Sequence, residues 1–316
     1  MNTSEKSMYV GRFAPSPSGP LHFGSLVCAL ASYLHAKQHN GKWLLRIEDI
    51  DTPRINPAMN EVILRSLELH GLKWDNEVSY QSQRHHLYEH TLSELEKRKL
   101  IYACSCSRKQ IRARSGTYDG HCRLRNLPSA GHAIRFMHSN KHTHFQDLYK
   151  GEVHIKHAIA SEDPVLKRAD GIYAYHLAVV ADDIEQGVTH IVRGNDLIDT
   201  TPIHLGLYAA LKQNAPQYLH IPVLVQKQGE KLSKQHHSPA IDDQTPLANL
   251  KLALYFLGLQ TPAYNAEIEQ LTSVESLLAW ATVNWQSKML SKQSEILISV
   301  TNGVYSVPLS HKEVQL

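Results

Sequence analysis

Residues 9–48 read YVGRFAPSPSGPLHFGSLVCALASYLHAKQHNGKWLLRIE, and their pattern predicts the fold class. Tyr9–Phe13 has the composition of a short strand, and a loop rich in Pro, Ser and Gly follows it. Leu21–Gln38 shows helical spacing, and Asn40-Gly41 ends that helix. Lys42–Glu48 is apolar enough to form a buried parallel strand. Strand, loop, helix and strand in this order predict a βαβ unit.

The rest of the chain continues this alternation of helices and strands. The spacing of apolar residues predicts helices over Asn60–His70, Arg84–Lys97, Thr201–Lys212, Pro246–Gly258 and Ser273–Ser287. Strands are predicted at Thr189–Val192 and Ile221–Val225, and the alternation in Thr143–Ile159 favours a β-hairpin. We therefore expect an α/β fold with a parallel sheet, interrupted by an insertion near residues 101–170 and followed by a helical C-terminal part.

Composition places the chain among globular proteins. It has 316 residues, of which 42% are hydrophobic, so it can bury a large core. No apolar run reaches the ~18 residues of a transmembrane helix, and the polar start MNTSEKS lacks the apolar region of a signal peptide. We therefore expect a soluble, cytoplasmic protein. Most of the 21 histidines lie singly or in polar pairs, which predicts surface positions for them.

The net charge of +3 hides an uneven distribution of charge. Residues 1–150 carry 21 Lys and Arg against 13 Asp and Glu, whereas residues 151–316 carry 12 against 17. Residues 97–125 alone hold nine basic side chains and one acidic side chain, Asp119. A basic patch of that density can bind phosphate groups even in a nearly neutral chain, so a nucleic acid is an expected partner.

The loop after the first strand has the features of a phosphate-binding turn. It leads into a helix N-terminus, where free N–H groups and the helix dipole favour phosphate. Gly19 and Gly24 allow close approach of the backbone, and His22 can donate to a phosphate oxygen. Far downstream, Lys231 and Lys234 of KLSKQ suit a clamp on a leaving polyphosphate. Each segment alone fits an ordinary loop or a basic surface, but the two together in this order are specific.

Three of the four cysteines, Cys104, Cys106 and Cys122, lie within nineteen positions. Clustered thiols in a cytosolic chain indicate a metal site before they indicate disulfides. A structural zinc ion takes four ligands, so the three thiolates need a partner. The residues of the same segment that offer a suitable ligand atom are Tyr118, Asp119 and His121.

These motifs resemble the HIGH and KMSKS motifs of class I aminoacyl-tRNA synthetases. GRFAPSPSG at 11–19, RIEDIDTPR at 46–54, HIVRGNDLIDTTP at 190–202 and KLSKQ at 231–235 are similar to the glutamyl-tRNA synthetase subgroup. About 80 residues follow Gln235, too few for the anticodon-reading domain of a full glutamyl-tRNA synthetase. The chain therefore resembles the truncated paralogues, the glutamyl-Q tRNA(Asp) synthetase family, as do HFGS at 22–25 and CSC at 104–106. Ser25 stands where HIGH has its second His, which leaves His22 as the imidazole donor.

The resemblance implies a Rossmann-like catalytic domain in two halves, residues 1–100 and 171–240. Between them lies a zinc-containing insertion at 101–170, and a helical subdomain follows at 241–316. It places one structural zinc ion on Cys104, Cys106, Tyr118 and Cys122. It places ATP on His22, Gly24, Lys231 and Lys234, with His22 and Lys234 as catalytic residues. It places glutamate on Arg12, Phe13, Ala14, Pro15, Ser16, Glu48, Tyr175 and Arg193. Arg12 and Arg193 suit bidentate capture of carboxylates, and Glu48 suits the ammonium.

The activity that the resemblance implies has two steps. Glutamate is activated by ATP, with Mg²⁺ and without tRNA, and is then transferred to queuosine at the wobble position of the tRNA(Asp) anticodon. Charging of a tRNA 3′ end and a catalytically inactive RNA-binding role are the alternatives. A small-molecule nucleotidyl transferase with HIGH-like loops is a more distant one, because it would not need RIEDIDTPR. We expect a monomer with no membrane partner.

Overall fold

The first strand–helix–strand unit forms as predicted. The computed structural model describes residues 8–114, 116–138, 143–227, 239–259, 261–301 and 303–307, and the backbone of 230–231. Strands β1 (Val10–Phe13) and β2 (Lys42–Ile47) lie parallel, and helix α1 (Phe23–Gln38) connects them. Helix α1 begins two residues later than predicted because His22 is its N-cap. The next elements are α2 (Met59–Leu69), β3 (Ser79–Tyr80), which pairs with β2, and α3 (His85–Lys97).

Residues 101–170 contribute to two different sheets. They form β4 (Ile101–Cys104), α4 (Arg108–Arg114), β5 (Ala133–Phe136), β6 (His144–Asp147), β7 (Gly151–His154), α5 (His157–Ala160) and β8 (Val165–Lys167). Strand β5 lies between β4 and β8 in a small antiparallel sheet. Strands β6 and β7 form the predicted hairpin. Strand β6 also pairs in parallel with Gln217–Ile221, which belongs to the parallel sheet that begins with β1 and β2, called the main sheet below. The structure thus divides the expected insertion between a separate layer and the sheet edge, and the four-part division of the chain stays a prediction.

The second half of the main sheet is also parallel. Its elements are α6 (Tyr175–Glu185), β9 (His190–Gly194), α7 (Thr201–Leu211) and β10 (Gln217–Ile221). Strand β10 lies between β9 and β6. The Thr189 backbone N–H donates to the Val10 carbonyl over 2.9 Å, which places β9 beside β1. Parallel strands bring their carboxyl ends to one edge, where open α/β sheets bind ligands.

The C-terminal part begins with two strands and continues as helices. Its elements are β11 (Val223–Lys227), β12 (Glu230–Lys231), α8 (Pro246–Phe256), α9 (Pro262–Gln270), α10 (Val274–Asn284), β13 (Glu295–Leu297), β14 (Ser299–Thr301) and β15 (Val304–Ser306). Helices α8 and α10 confirm the predicted helical part and pack against α1. Strands β13 to β15 escaped prediction because three residues are too few to show a period of two.

The largest part of the core surrounds α1. Trp43 and Trp285 are fully buried there, and each indole N–H has an acceptor. Trp43 donates to Ser32 Oγ over 2.9 Å, and Trp285 donates to His35 Nδ1 over 3.1 Å. Buried indole groups are tolerated because these hydrogen bonds replace those with water. In the described part of the chain, no helix combines the length and the hydrophobicity needed to cross a membrane.

Several histidines lie inside the protein, where the sequence predicts surface positions. Those buried among the described residues are His35, His70, His138, His204 and His220. The prediction concerned most histidines, and these five are exceptions to it; at His70 and His220 a hydrogen bond to a ring nitrogen offsets the cost of burial. His70 Nδ1, for example, lies 2.7 Å from the Ser66 carbonyl oxygen. That pair is local, four positions apart at the end of α2, whereas Asp147, the partner of His220, is brought close only by the fold.

Candidate active site and candidate zinc centre

One cavity opens at the carboxyl ends of β1, β2 and β9. Its volume is about 410 Å³, and the start of α1 forms one wall. The lining includes ten of the residues that the sequence analysis assigned to glutamate and ATP: Arg12, Phe13, Ala14, Pro15, Ser16, His22, Gly24, Glu48, Tyr175 and Arg193. Of the two remaining assigned residues, Lys231 lies in β12 with only its backbone described, and Lys234 lies outside the described residues.

Arg12 is held from behind by a buried carboxylate. Its side chain is 5% exposed, and its Nε donates to Asp183 Oδ1 over 3.2 Å. Arg46 of β2 is fully buried and donates Nη2 to the same oxygen over 2.7 Å. Because Asp183 takes Nε, the terminal nitrogens of Arg12 remain for a ligand carboxylate. Sequence reasoning missed Asp183, although an Asp182-Asp183 pair inside an apolar helix is a usable signal.

Glu48 follows β2 and lines the same cavity. Burial raises its pKa to about 7, although the guanidinium groups of Arg46 and Arg12 act in the opposite direction. Glu48 is half-buried, and a carboxylate in such a position gains from a cation placed beside it. The surroundings of Glu48 therefore fit an ammonium group, as the sequence predicts.

Arg193 is the last residue but one of β9 and is 3% exposed. Its Nε and Nη2 donate to fixed acceptors, which are His220 Nε2 at 3.0 Å, Leu197 O at 3.1 Å and Thr201 Oγ1 at 2.8 Å. Its Nη1 makes longer contacts, 3.3 Å to His204 Nδ1 and 3.5 Å to the Tyr175 hydroxyl. Bidentate capture, expected from the residue type, needs two free N–H groups side by side. The geometry instead fits an end-on contact through Nη1.

His22 lies at the rim of the cavity and caps α1. Its Nδ1 accepts the Ser25 backbone N–H over 3.2 Å, so the ring proton of a neutral His22 is on Nε2, 3.1 Å from Ser25 Oγ. Ala240 pairs with His22 as an isolated bridge, and the Ile241 N–H donates to the Leu21 carbonyl over 3.0 Å. The chain that follows the KLSKQ segment is thus fixed beside His22.

Two further cavities connect this site to the small antiparallel sheet. The first, about 630 Å³, shares Ser16, Glu48 and Tyr175 with the cavity of about 410 Å³. The second, about 810 Å³, reaches Cys106 at the other end. Arg108 of α4 and Arg168 line both of these cavities. Basic side chains therefore line a continuous path from the carboxyl edge of the main sheet to the cysteine cluster.

The three predicted cysteine ligands come together. The sulfur atoms of Cys104, Cys106 and Cys122 all lie within 4.8 Å of one another. Burial acts to raise the pKa of Cys122, but the hydrogen bonds to its sulfur from the Ser105 N–H and from Cys106 outweigh burial and lower it to about 6. Thiolates are the form that binds zinc, so this cluster suits a cation.

Of the three candidates for a fourth ligand, Tyr118 is the one buried beside the thiols. Its side chain is 5% exposed, and its hydroxyl oxygen accepts the Cys122 backbone N–H over 2.9 Å. His121 is exposed, and its Nε2 faces Arg125 at 3.5 Å. Asp119 is also exposed. The three clustered thiols fit a zinc ion, and Tyr118 stays the predicted fourth ligand.

Comparison with known proteins agrees with this geometry. The family described as "tRNA synthetases class I (E and Q), catalytic domain" matches residues 9–297. The chain is 47% identical over 295 residues to the glutamyl-Q tRNA(Asp) synthetase of Vibrio vulnificus strain YJ016, covering 93% of this chain and 95% of that protein. The protein of the same name from Idiomarina loihiensis is 48% identical over 281 residues, covering 89% and 98%.

Solved structures give the same family. A glutamate tRNA ligase from Elizabethkingia meningosepticum, crystallised with its amino acid, matches with a TM-score of 0.75 and 27% identity, covering 91% of this chain and 66% of that one. The glutamate-tRNA synthetase of Elizabethkingia anophelis matches with a TM-score of 0.74 and 26% identity, covering 92% and 68%. The chain spans about two thirds of both structures. It therefore belongs to the class I tRNA synthetase family for Glu and Gln, among the glutamyl-Q tRNA(Asp) synthetases.

Proposed function

We propose that this enzyme activates L-glutamate with ATP and transfers it to queuosine in the anticodon of tRNA(Asp). The observation that carries the proposal is the cavity of about 410 Å³ that gathers the eight residues assigned to glutamate together with His22 and Gly24 of the ATP set. Arg12 and Arg193 supply positive charge for two carboxylates, and Glu48 supplies negative charge for one ammonium. These charges match those of glutamate. His22 lines the same cavity and can bind a phosphate group of ATP.

Activation joins glutamate to the nucleotide. The α-carboxylate attacks the α-phosphorus of ATP, a P–O bond forms, and pyrophosphate leaves to give glutamyl-adenylate. The Nε2–H of His22 and the first N–H groups of α1 donate to phosphate oxygens and stabilise their growing charge. Lys234 is proposed as a further cation for the leaving group. Mg²⁺ would enter with ATP, held by phosphate oxygens and water, and would offset charge on the phosphates.

Transfer needs a hydroxyl group near the new anhydride. A ring hydroxyl of queuosine attacks the glutamyl carbonyl carbon, loses its proton, and AMP leaves. The cavity of about 630 Å³ next to Glu48 is the proposed entry for the nucleoside, because it shares a wall with the glutamate cavity. Arg108 and Arg112 of α4 are exposed and line the path beyond it, where they fit RNA phosphates.

The zinc centre is proposed to be structural. Zn²⁺ on Cys104, Cys106, Cys122 and Tyr118 would tie the end of β4 to the loop before β5, a region with a small core. A metal ion supplies folding free energy to such segments. It would thereby hold α4 and its arginines in place for RNA, without contact with glutamate.

Labelled glutamate tests the whole proposal. Three tRNA(Asp) samples are compared: one with queuosine, one without it, and one with queuosine but without the 3′-terminal adenosine. We expect label on the first and third samples and none on the second. Label that needs the terminal adenosine would instead indicate charging of the tRNA 3′ end. ATP–pyrophosphate exchange with glutamate and no tRNA is expected, and its absence would favour an inactive RNA-binding role.

A further inference from the structure

Three neighbouring strands place three polar residues in a row. His220 of β10 is the register partner of Arg193 of β9, and Asp147 ends β6 on the other side of β10. Asp147 and His220 are each at most 1% exposed. Buried polar groups of this kind persist where they are fully paired. The hydrogen bonds among these three side chains therefore determine on which atom each proton lies.

The protons of the row have one consistent arrangement. The Arg193 Nε–H can only donate, so His220 Nε2, 3.0 Å away, must accept. The proton of His220 is then on Nδ1 and points to Asp147 Oδ2 at 2.8 Å. Burial, together with the charge of Arg193, keeps the imidazole neutral and lowers the pKa of His220 to about 4, against the opposing influence of Asp147.

Asp147 is itself fixed by backbone donors. Its Oδ2 also accepts the His220 N–H at 2.9 Å, and its Oδ1 accepts the N–H groups of Tyr149 and Lys150, both at 2.9 Å. These hydrogen bonds fix the orientation of the Asp147 carboxylate. The carboxylate orients the imidazole of His220, and the imidazole in turn orients the guanidinium of Arg193. Thr201 Oγ1 holds the other side of Arg193 at 2.8 Å.

We propose that Asp147 and His220 are positioning residues that aim Nη1 of Arg193 at a carboxylate of the amino-acid substrate. The proposal rests on the proposed function, in which Arg193 binds glutamate. Neither residue touches the cavity, and both act only through the guanidinium. Without these hydrogen bonds the Arg193 side chain would populate other rotamers. The enzyme would then lose affinity for glutamate before it loses affinity for ATP.

Two substitutions at one position separate positioning from simple packing. In His220→Asn the amide N–H can still reach Asp147, but nothing accepts the Arg193 Nε–H. In His220→Gln the longer side chain can return an oxygen to the place of Nε2. We expect His220→Asn to raise KM for glutamate about 10- to 100-fold in ATP–pyrophosphate exchange, with KM for ATP unchanged, because a hydrogen bond to a charged group is lost. His220→Gln should restore most of the affinity.

The matched control is His190→Asn, the same change on β9 at a residue that stacks on Tyr9 and does not contact Arg193. It should leave both KM values unchanged. Equal changes in both KM values for His220→Asn, or no rescue by His220→Gln, would overturn the proposal. If His220→Asn does not fold, the ¹⁵N spectrum of the wild-type imidazole groups tests the proposal, because it shows which ring nitrogen of His220 carries the proton. A neutral His220 with its proton on Nδ1 is expected, and a proton on Nε2 would overturn the proposal.

Two measurements distinguish a wrong positioning role for His220 from a wrong proposal of glutamate activation. If Arg193→Met raises KM for glutamate and His220→Asn does not, the positioning role is wrong and the glutamate site stands. If the wild-type protein shows no glutamate-dependent exchange, the proposed function itself is wrong.

Discussion

Glutamate binding should weaken as the pH falls from 8 to 6, because Glu48 loses its charge in that range. Burial raises the pKa of Glu48 to about 7 in the free protein. The ionised form attracts the ammonium of glutamate, and the protonated form does not. Glu48 is then about nine tenths ionised at pH 8 and about one tenth ionised at pH 6. The dissociation constant should therefore rise about tenfold, or about 1.4 kcal/mol.

Isothermal titration of glutamate into the protein without ATP measures this change directly. The α-carboxylate and side-chain carboxylate of glutamate stay ionised across the range, so the ligand does not cause it. Glu48→Gln should bind glutamate weakly, with the same dissociation constant at both pH values. Glu89→Gln, at an exposed carboxylate of α3, should keep the wild-type slope. A wild-type dissociation constant that stays constant from pH 8 to 6 would refute the reasoning, and so would a slope that survives in Glu48→Gln.

Three other changes test separate parts of the structure. Asp183→Asn should lower the free energy of unfolding in urea by up to about 3–5 kcal/mol, because Arg46 would lose its closest carboxylate and keep only Asp182, 3.6 Å away; an unchanged midpoint would contradict the buried pair. Cys122→Ser should reduce zinc content and glutamylation of tRNA, while glutamate-dependent ATP–pyrophosphate exchange stays near wild type. Parallel loss of both reactions would count against a purely structural zinc. Lys234→Ala should slow ATP–pyrophosphate exchange about 10²–10³-fold, and an unchanged rate would remove Lys234 from the mechanism.

Local patterns were sufficient for most of the fold, and the resemblance of the motifs supplied the residues of the candidate site. The βαβ unit over residues 9–48 was predictable because strand, loop and helix preferences are properties of short segments. The assigned residues from Arg12 to Ser16 and His22 lie on that unit, so their proximity follows from the chain itself. Cys104 and Cys106 are likewise close in sequence, and with Cys122 they make a spacing that is typical of a metal site.

Long-range pairing accounts for what remained hidden. The sequence alone does not say that Tyr118 is buried beside the thiols and His121 exposed, because the packing of the cluster decides which side chain turns inward. Asp183 reaches Arg12 across 171 positions, and Asp147 reaches His220 across 73. Sequence periodicity reports which face of an element is apolar, but it carries no information on which distant polar atoms meet. The candidate site residues could therefore be proposed from the motifs of the chain, whereas the buried partners that orient Arg12 and Arg193 came only from the packing of strands β6, β10 and β9 and of helix α6.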